Sequence, residues 1–293
     1  MAPRLELPGP VVDAAWLAEH LDHPDLVVAD VRWSLGDADA GRAAYESGHI
    51  PGAVFVDLDV DLAAAPRSAK GGRHPLPASA AFASAMSGRG IGDDHVVVAY
   101  DDSSNSIAVR LWWMLDVLGH GAAVLDGGLS AWTGPLETEV PDRGVATFSE
   151  KPWPADAVAD ADAVAAALDA GVPVLDARSP ARFRGDEEPV DPRAGHIPGA
   201  VNVHWSDNVG PDRRLLPAGQ LIDRFAAAGV DPAGAAEEAP IVYCGSGVTA
   251  CHDVLAMRVA GLPRPRLYVG SWSEWSSDPD RPVATGDVKG DRP

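Results

Sequence analysis

The sequence predicts an α/β protein made of one unit used twice, each copy a mostly parallel central sheet flanked by helices. Three observations lead there: ordered internal repeats, short apolar runs that alternate with helical stretches, and glycines where helices should stop. The repeats are the strongest of the three. "GHIPGAV" at 48–54 returns unchanged at 195–201, 147 residues later. "VVADVR" (27–32) answers "PVLDAR" (173–178), and "DGGLSAW" (126–132) answers "VGSWSEW" (269–275). "VVVAYDDSSNSIAVRLWWML" (96–115) answers "PIVYCGSGVTACHDVLAMRV" (240–259), with Tyr100 and Tyr243 143 residues apart. Four matched blocks in one order mark a tandem duplication.

Within each copy, "LVVADV", "HVVVAYD" and "AAVLDG", then "VPVLDAR", "APIVYC" and "RLYVG", read as strands buried on both faces. Helices are expected over "VVDAAWLAEHL", the Ala-rich segment 78–90, "SIAVRLWWMLDVLGH", "DADAVAAALDAG" and "TACHDVLAMRVAG". Several of these end at Gly, as a helix C-cap does. Such alternation implies a parallel sheet covered on both sides. The copies are expected at 1–137 and 158–293, joined by a Pro-rich, charged linker at 138–157 that lacks a clear period. The polar tail after Trp275 is expected to be loosely held.

Composition bounds the function. The chain has 293 residues, with 23 basic against 43 acidic side chains and a net charge of −20. That field disfavours nucleic acid and anionic membranes as partners. An anionic substrate would need a local basic pocket. Two cysteines are too few for a disulfide scaffold. The N-terminal stretch lacks an apolar signal core, and no run of about 18 apolar residues occurs. A reduced, cytoplasmic protein is expected.

Both cysteines lie in "YCGSGVTAC" (243–251). "APIVY" ends a strand and "TACHDVLAMRVAG" begins a helix, so Cys244 opens the turn between them. Gly245 and Gly247 permit a tight loop with inward backbone N–H groups. Together with the positive end of the following helix, those groups form an anion cradle that favours a thiolate. The end of a parallel strand is also where α/β folds bind ligands. A cysteine phosphatase would need arginine six residues after the cysteine to clamp an oxyanion. Ala250 stands there and removes that reading. The first copy carries Asp101 at the position of Cys244, so only the second copy can offer a sulfur nucleophile.

The paired units, the two "GHIPGA" blocks, "DAR" followed by "ARFRG", and "CGSGVTA" together resemble the two-domain rhodanese/sulfurtransferase family over nearly the whole chain. The resemblance implies two tandem rhodanese-like domains. Thiosulfate enzymes of the family carry a Cys-Arg-Lys-Gly-Val-Thr loop. Cys244-Gly245-Ser246-Gly247-Val248-Thr249 instead resembles the branch that uses 3-mercaptopyruvate. A cationic loop suits a dianion, whereas a Gly-Ser loop leaves charge recognition to arginines outside it. The implied chemistry is ping-pong transfer through a Cys244 persulfide to a thiol, thioredoxin or cyanide, with no cofactor and no metal. Arg182, in "SPARFRG", is implied as the substrate carboxylate ligand. Arg193 is the nearest match to a second family arginine, in a stretch that is shorter here. A Ser-His-Asp relay maps onto Ser246, His74 in "GGRHPLP" and Asp59 in "FVDLDVD", which puts its last two members in the first copy. Thiosulfate as donor, or a non-catalytic persulfide sensor or sulfur-carrier module, remain the alternatives.

Other signals read as structural. His49 and His196 occur in both copies and are expected to bond the backbone at a turn. No spaced Cys/His cluster suggests zinc. "GDEEPVD" (185–191) reads as a solvated acidic loop, and Arg178 as an internal ion-pair partner. Trp112, Trp113, Trp132 and Trp275 suit packing. Cys251 falls on the helix, about two turns from Cys244, and is expected to be buried and inert.

Overall fold

The computed structural model describes residues 4–64, 71–233 and 239–287. They fall into two compact units. The first takes 4–64, 77–153 and 211–214, and the second takes 71–76, 154–210 and the described residues from 215 onward.

The first unit contains β1 (Val11–Val12), α1 (Ala14–His20), β2 (Leu26–Asp30), α2 (Ala40–Ser47), β3 (Val54–Phe55), α3 (Ser79–Gly88), β4 (Val96–Tyr100), α4 (Ala108–Val117) and β5 (Ala122–Leu125). Its sheet order is β1-β5-β4-β2-β3, with every pair parallel. All five residues of β2 and all five of β4 are buried. That explains why these strands read as unbroken apolar runs instead of alternating ones.

The second unit contains β6 (Val158–Ala159), α5 (Ala161–Asp169), β7 (Val174–Asp176), α6 (Pro180–Arg184), β8 (Val201–Asn202), α7 (Ala218–Ala227), β9 (Ile241–Tyr243), α8 (Ala250–Val259), β10 (Arg266–Tyr268) and α9 (Ser271–Trp275). The order β6-β10-β9-β7-β8 repeats that of the first sheet strand for strand, and again every pair is parallel. The duplication seen in the letters is thus a duplication of topology.

Local chemistry sets the helix starts. Asp13 accepts a hydrogen bond from Trp16 N at 2.7 Å, and Asp160 accepts one from Ala163 N at 2.8 Å, so each side chain caps its helix. The helix expected from Val11 therefore begins later. The β-branched pair Val11–Val12 forms an edge strand on β5 instead.

The "GHIPGA" histidines serve the fold. His49 Nδ1 lies 2.8 Å from Tyr45 O and the two rings stack; His196 Nδ1 lies 2.8 Å from Phe183 O, also stacked. Each histidine also forms a two-residue bridge with a later segment: His49 with Glu137, and His196 with Ala284. The His196 bridge corrects the expectation of a loose tail over 276–287; residues 288–293 lie outside the described residues. Along 276–287 the chain doubles back, Trp275 Nε1 donates to Pro282 O, and Gly286 N donates to Arg184 O.

Candidate active site

The second unit assembles its site at the C-terminal end of β9, a central strand. Cys244 follows immediately and is 1% exposed. Its main chain is held from both sides: Cys244 N donates to Ser271 Oγ at 3.1 Å, and Trp272 N donates to Cys244 O at 3.0 Å. Ser271 takes φ 52°, a left-handed conformation uncommon for a residue with a side chain, and its hydroxyl also donates to Tyr268 O. The loop then turns at Gly247, with φ 73°, where a Cβ would lie 2.5 Å from Val269 O. Glycine is required there by both torsion and space.

The loop amides point to an anion. The N–H groups of Gly245, Ser246, Val248 and Thr249 have no acceptor among the described residues, and α8 begins just beyond them. The first unit shows what such a turn holds. Asp101, at the position of Cys244, accepts from Ser103 N and Asn105 N at 2.8 and 2.7 Å through Oδ1. Its Oδ2 accepts from Ile107 N and Ala108 N at 2.8 and 2.9 Å. Burial pushes this carboxyl up, and the four donors act against that shift. Ser103 and Asn105 correspond to Ser246 and Val248. The first copy thus fills its cradle with its own carboxylate, and the second presents a sulfur.

Ser246 and His74 come together. His74 Nδ1 lies 2.8 Å from Ser246 Oγ, and both side chains are buried. The segment that brings His74 belongs to the second unit and packs on α9. Gly71 N donates to Glu274 Oε1 at 2.8 Å, and Arg73 N donates to Ser273 Oγ at 3.0 Å. Gly72 has φ 77°, and a Cβ there would collide with Gly270 O and Ser273 Oγ. The "GG" of "GGRHPLP" is what lets the backbone approach so closely. Asp59, the third residue of the expected relay, lies in the first unit, where its Oδ2 accepts from Trp33 Nε1 at 3.0 Å.

Two guanidinium groups stand over Gly245. A Cβ on that residue would lie 2.8 Å from Arg73 Nη2 and 3.4 Å from Arg182 Nη1. Arg182 was read from the sequence; Arg73 was not, because nothing in its own neighbourhood marks it except adjacency to His74. Arg193 donates four of its five N–H groups to main-chain carbonyls, those of Trp275, Ser276, Asp278 and Arg281, and so holds the chain at and beyond the end of α9.

"GDEEPVD" departs from expectation in part: Asp186 and Glu187 are exposed, but the side chains of Glu188 and Asp191 are only 4% and 3% exposed. Glu188 Oε1 accepts from Arg182 Nη2 at 2.7 Å and Glu188 Oε2 accepts from Arg178 Nη1 at 3.3 Å. Asp191 accepts from Arg182 Nη2 at 3.0 Å and pairs with Arg73 Nη1. Burial pushes the Asp191 carboxyl up while Arg73 opposes the shift. Arg178 keeps to the interior as expected, bidentate on Asp176 and donating to Gly195 O. Cys251 is buried on α8 with Sγ 3.5 Å from Gly247 O. No cluster of metal-ligating side chains occurs among the described residues. No helix among them is long and apolar enough to cross a membrane.

Comparison with known proteins agrees with this geometry. The rhodanese-like domain matches residues 13–135 and again 160–278. A Pseudomonas aeruginosa protein provisionally named a 3-mercaptopyruvate sulfurtransferase is 46% identical over 283 residues, covering 94% of this chain and 98% of the relative. A Mycobacterium tuberculosis protein provisionally named a thiosulfate sulfurtransferase, SseB, is 43% identical, covering 94% and 97%. The solved structure of SseA from Escherichia coli, described as a 3-mercaptopyruvate sulfotransferase, superposes with a TM-score of 0.78 at 34% identity, over 90% of this chain and 99% of that one. With the domain matched twice and relatives this similar along nearly their full length, the chain belongs to the rhodanese-like family in its tandem two-domain form.

Proposed function

We propose that the protein is a sulfurtransferase that takes sulfur from 3-mercaptopyruvate onto Cys244 and passes it to a thiol. The observation that carries this reading is the space over Gly245, filled by two guanidinium groups from outside the loop. The loop itself is uncharged, so the carboxylate of a 2-oxo acid can lie against the arginines while its thiol reaches Cys244.

In the first half-reaction the Cys244 thiolate attacks the donor sulfur. A sulfur–sulfur bond forms, the carbon–sulfur bond breaks, and its electron pair leaves with the three-carbon fragment as the enolate of pyruvate. Ser246 passes a proton to that enolate and regains one from His74 across their 2.8 Å contact. Asp59 is assigned to this relay on the family resemblance alone. The loop amides hold the outer sulfur as an anion. In the second half-reaction an acceptor thiolate, such as a small thiol or thioredoxin, attacks that sulfur and restores the Cys244 thiolate. Cyanide is a simpler acceptor.

The 43% identical relative provisionally named for thiosulfate keeps that donor as the second reading. Steady-state kinetics with both donors decide between them: kcat/KM is expected to favour 3-mercaptopyruvate, and a preference for thiosulfate overturns the assignment. Intact-mass analysis after exposure to 3-mercaptopyruvate should show one added sulfur on Cys244. A chain that gains none is a binding module and not this enzyme.

A further inference from the structure

The duplication supplies a control for α9. "DGGLSAW" (126–132) and "VGSWSEW" (269–275) correspond, so Ser273 answers Ser130 and Glu274 answers Ala131. The two serines do the same work: Ser130 Oγ donates to Gly127 O at 2.7 Å, and Ser273 Oγ donates to Gly270 O at 3.0 Å. The carboxylate belongs to the second copy alone, and space is kept clear for it. Gly127 is required by its torsion, φ 83°, but Gly270 has φ −60°, which any residue can adopt. A Cβ on Gly270 is excluded by space instead, because it would collide with Glu274 Oε2.

That carboxylate reaches a distant part of the chain. Glu274 Oε1 accepts from Gly71 N at 2.8 Å, across 203 residues. Gly72 follows, packed so closely on Gly270 O and Ser273 Oγ that a Cβ would collide with both. Arg73 N then donates to Ser273 Oγ at 3.0 Å. Three consecutive residues are thus lodged on α9, and the next is His74, 3% exposed, with Nδ1 2.8 Å from Ser246 Oγ. The pair that leads to it, Gly71 at φ 87° and Gly72 at φ 77°, has more conformational freedom to lose than any other two residues would.

Resting on the relay proposed above, we infer that Glu274 is the positioning residue of His74. Its carboxylate fixes the Gly71 amide, and through it the 71–73 backbone, so the imidazole is held at Ser246 instead of following the freedom of a Gly-Gly pair. The role is one of placement and not of charge. Ala131 shows that the turn itself closes without a carboxylate, since Ser130 keeps its bond to Gly127 O there.

Two variants separate placement from charge. Glu274→Gln keeps an acceptor oxygen for Gly71 N and removes the charge, whereas Gly270→Ala keeps the charge and pushes the carboxylate aside. With 3-mercaptopyruvate, Glu274→Ala and Gly270→Ala are each expected to lower kcat by ~10-fold or more, because misplacing a reacting group by about 1 Å can cost about 10²-fold. KM should stay within about twofold in both, and Glu274→Gln within about threefold of wild type in kcat. Added to His74→Asn, Glu274→Ala should cost nothing further. The His74 ring resonances read placement by NMR without turnover: Glu274→Ala and Gly270→Ala should shift them, and Glu274→Gln should leave them in place. Iodoacetamide alkylates the Cys244 thiolate with loss of iodide and needs no relay, so its rate should change by no more than about twofold in any variant.

Glu274→Gln as slow as Glu274→Ala would assign the effect to charge. A further loss on top of His74→Asn would assign it to another group, and slowed alkylation would mean that Glu274 only supports the loop. Unmoved ring resonances in Glu274→Ala would mean that it does not place the imidazole. Each of these overturns the inference. If the resonances shift as expected but His74→Asn leaves kcat unchanged, the relay reading fails and the placement of His74 by Glu274 stands.

Discussion

Ser246 Oγ and His74 Nδ1 are 2.8 Å apart although 172 residues separate them in the chain. The contact joins a hydroxyl on the loop of Cys244 to an imidazole that follows the Gly71–Gly72 turn packed against α9.

If that path serves departure of the enolate, its two members should fail as a unit. Ser246→Ala and His74→Asn are each expected to lower kcat with 3-mercaptopyruvate by about 10²-fold, a common value for general acid–base groups, and to change KM little. The double variant should be scarcely slower than either single one. Additive losses in stopped-flow measurement of the loading step would separate the two residues functionally.

The cysteines divide sharply. Cys244→Ser should abolish both turnover and the added sulfur seen by intact-mass analysis. Cys251→Ala should retain both and lose only about 1 kcal/mol of stability by denaturant unfolding, as for a small buried truncation.

The loop glycines are each required for a different reason. Gly247→Ala forces a Cβ to within 2.5 Å of Val269 O at a positive φ, and is expected to cost about 1–3 kcal/mol together with activity. Gly245→Arg restores the residue of thiosulfate enzymes but occupies the space of the Arg73 and Arg182 edges. Its kcat/KM for 3-mercaptopyruvate should fall by ~10-fold or more as those contacts are lost, while thiosulfate should fall less. Equal losses for both donors would show that the effect is only steric.

Asp101→Ala tests the same turn in the copy without a nucleophile. Four buried N–H donors would lose their acceptor, so a destabilisation of about 3–5 kcal/mol is expected, as when one partner is removed from a buried charged site. Tm from calorimetry reads it.

Asp253 makes stability depend on pH. It is fully buried on α8, Asn208 Nδ2 donates to its Oδ1 at 2.6 Å, and burial pushes its carboxyl up to about 7. The folded chain therefore holds this proton more tightly than the unfolded chain, for which the ordinary value is 3.8. The stability it contributes is complete below about pH 4 and is lost as pH rises through about 7. Asp253→Asn should flatten the fall in Tm between those limits; an unchanged slope would assign it to other groups.

Much of this protein is legible in its sequence alone. The duplication, the parallel α/β units and the contrast between Cys244 and Asp101 are local or repeated patterns, set by strand burial, helix capping and the conformational needs of a tight glycine loop. Arg182 and Ser246 could be singled out for the same reason, since each sits within a few residues of its motif. The pairing of Arg73 with Asp191 and the carbonyl partners of Arg193 could not. An arginine's use is decided by which acceptors surround its five donors, and those acceptors lie on other elements: four carbonyls at the end of α9 for Arg193, one carboxylate 118 residues away for Arg73. The acidic loop likewise looks solvated in a chain of net charge −20, yet folding turns the Glu188 and Asp191 side chains onto three guanidinium groups. Local pattern sets where Cys244 stands, and only tertiary packing decides which charges surround its loop.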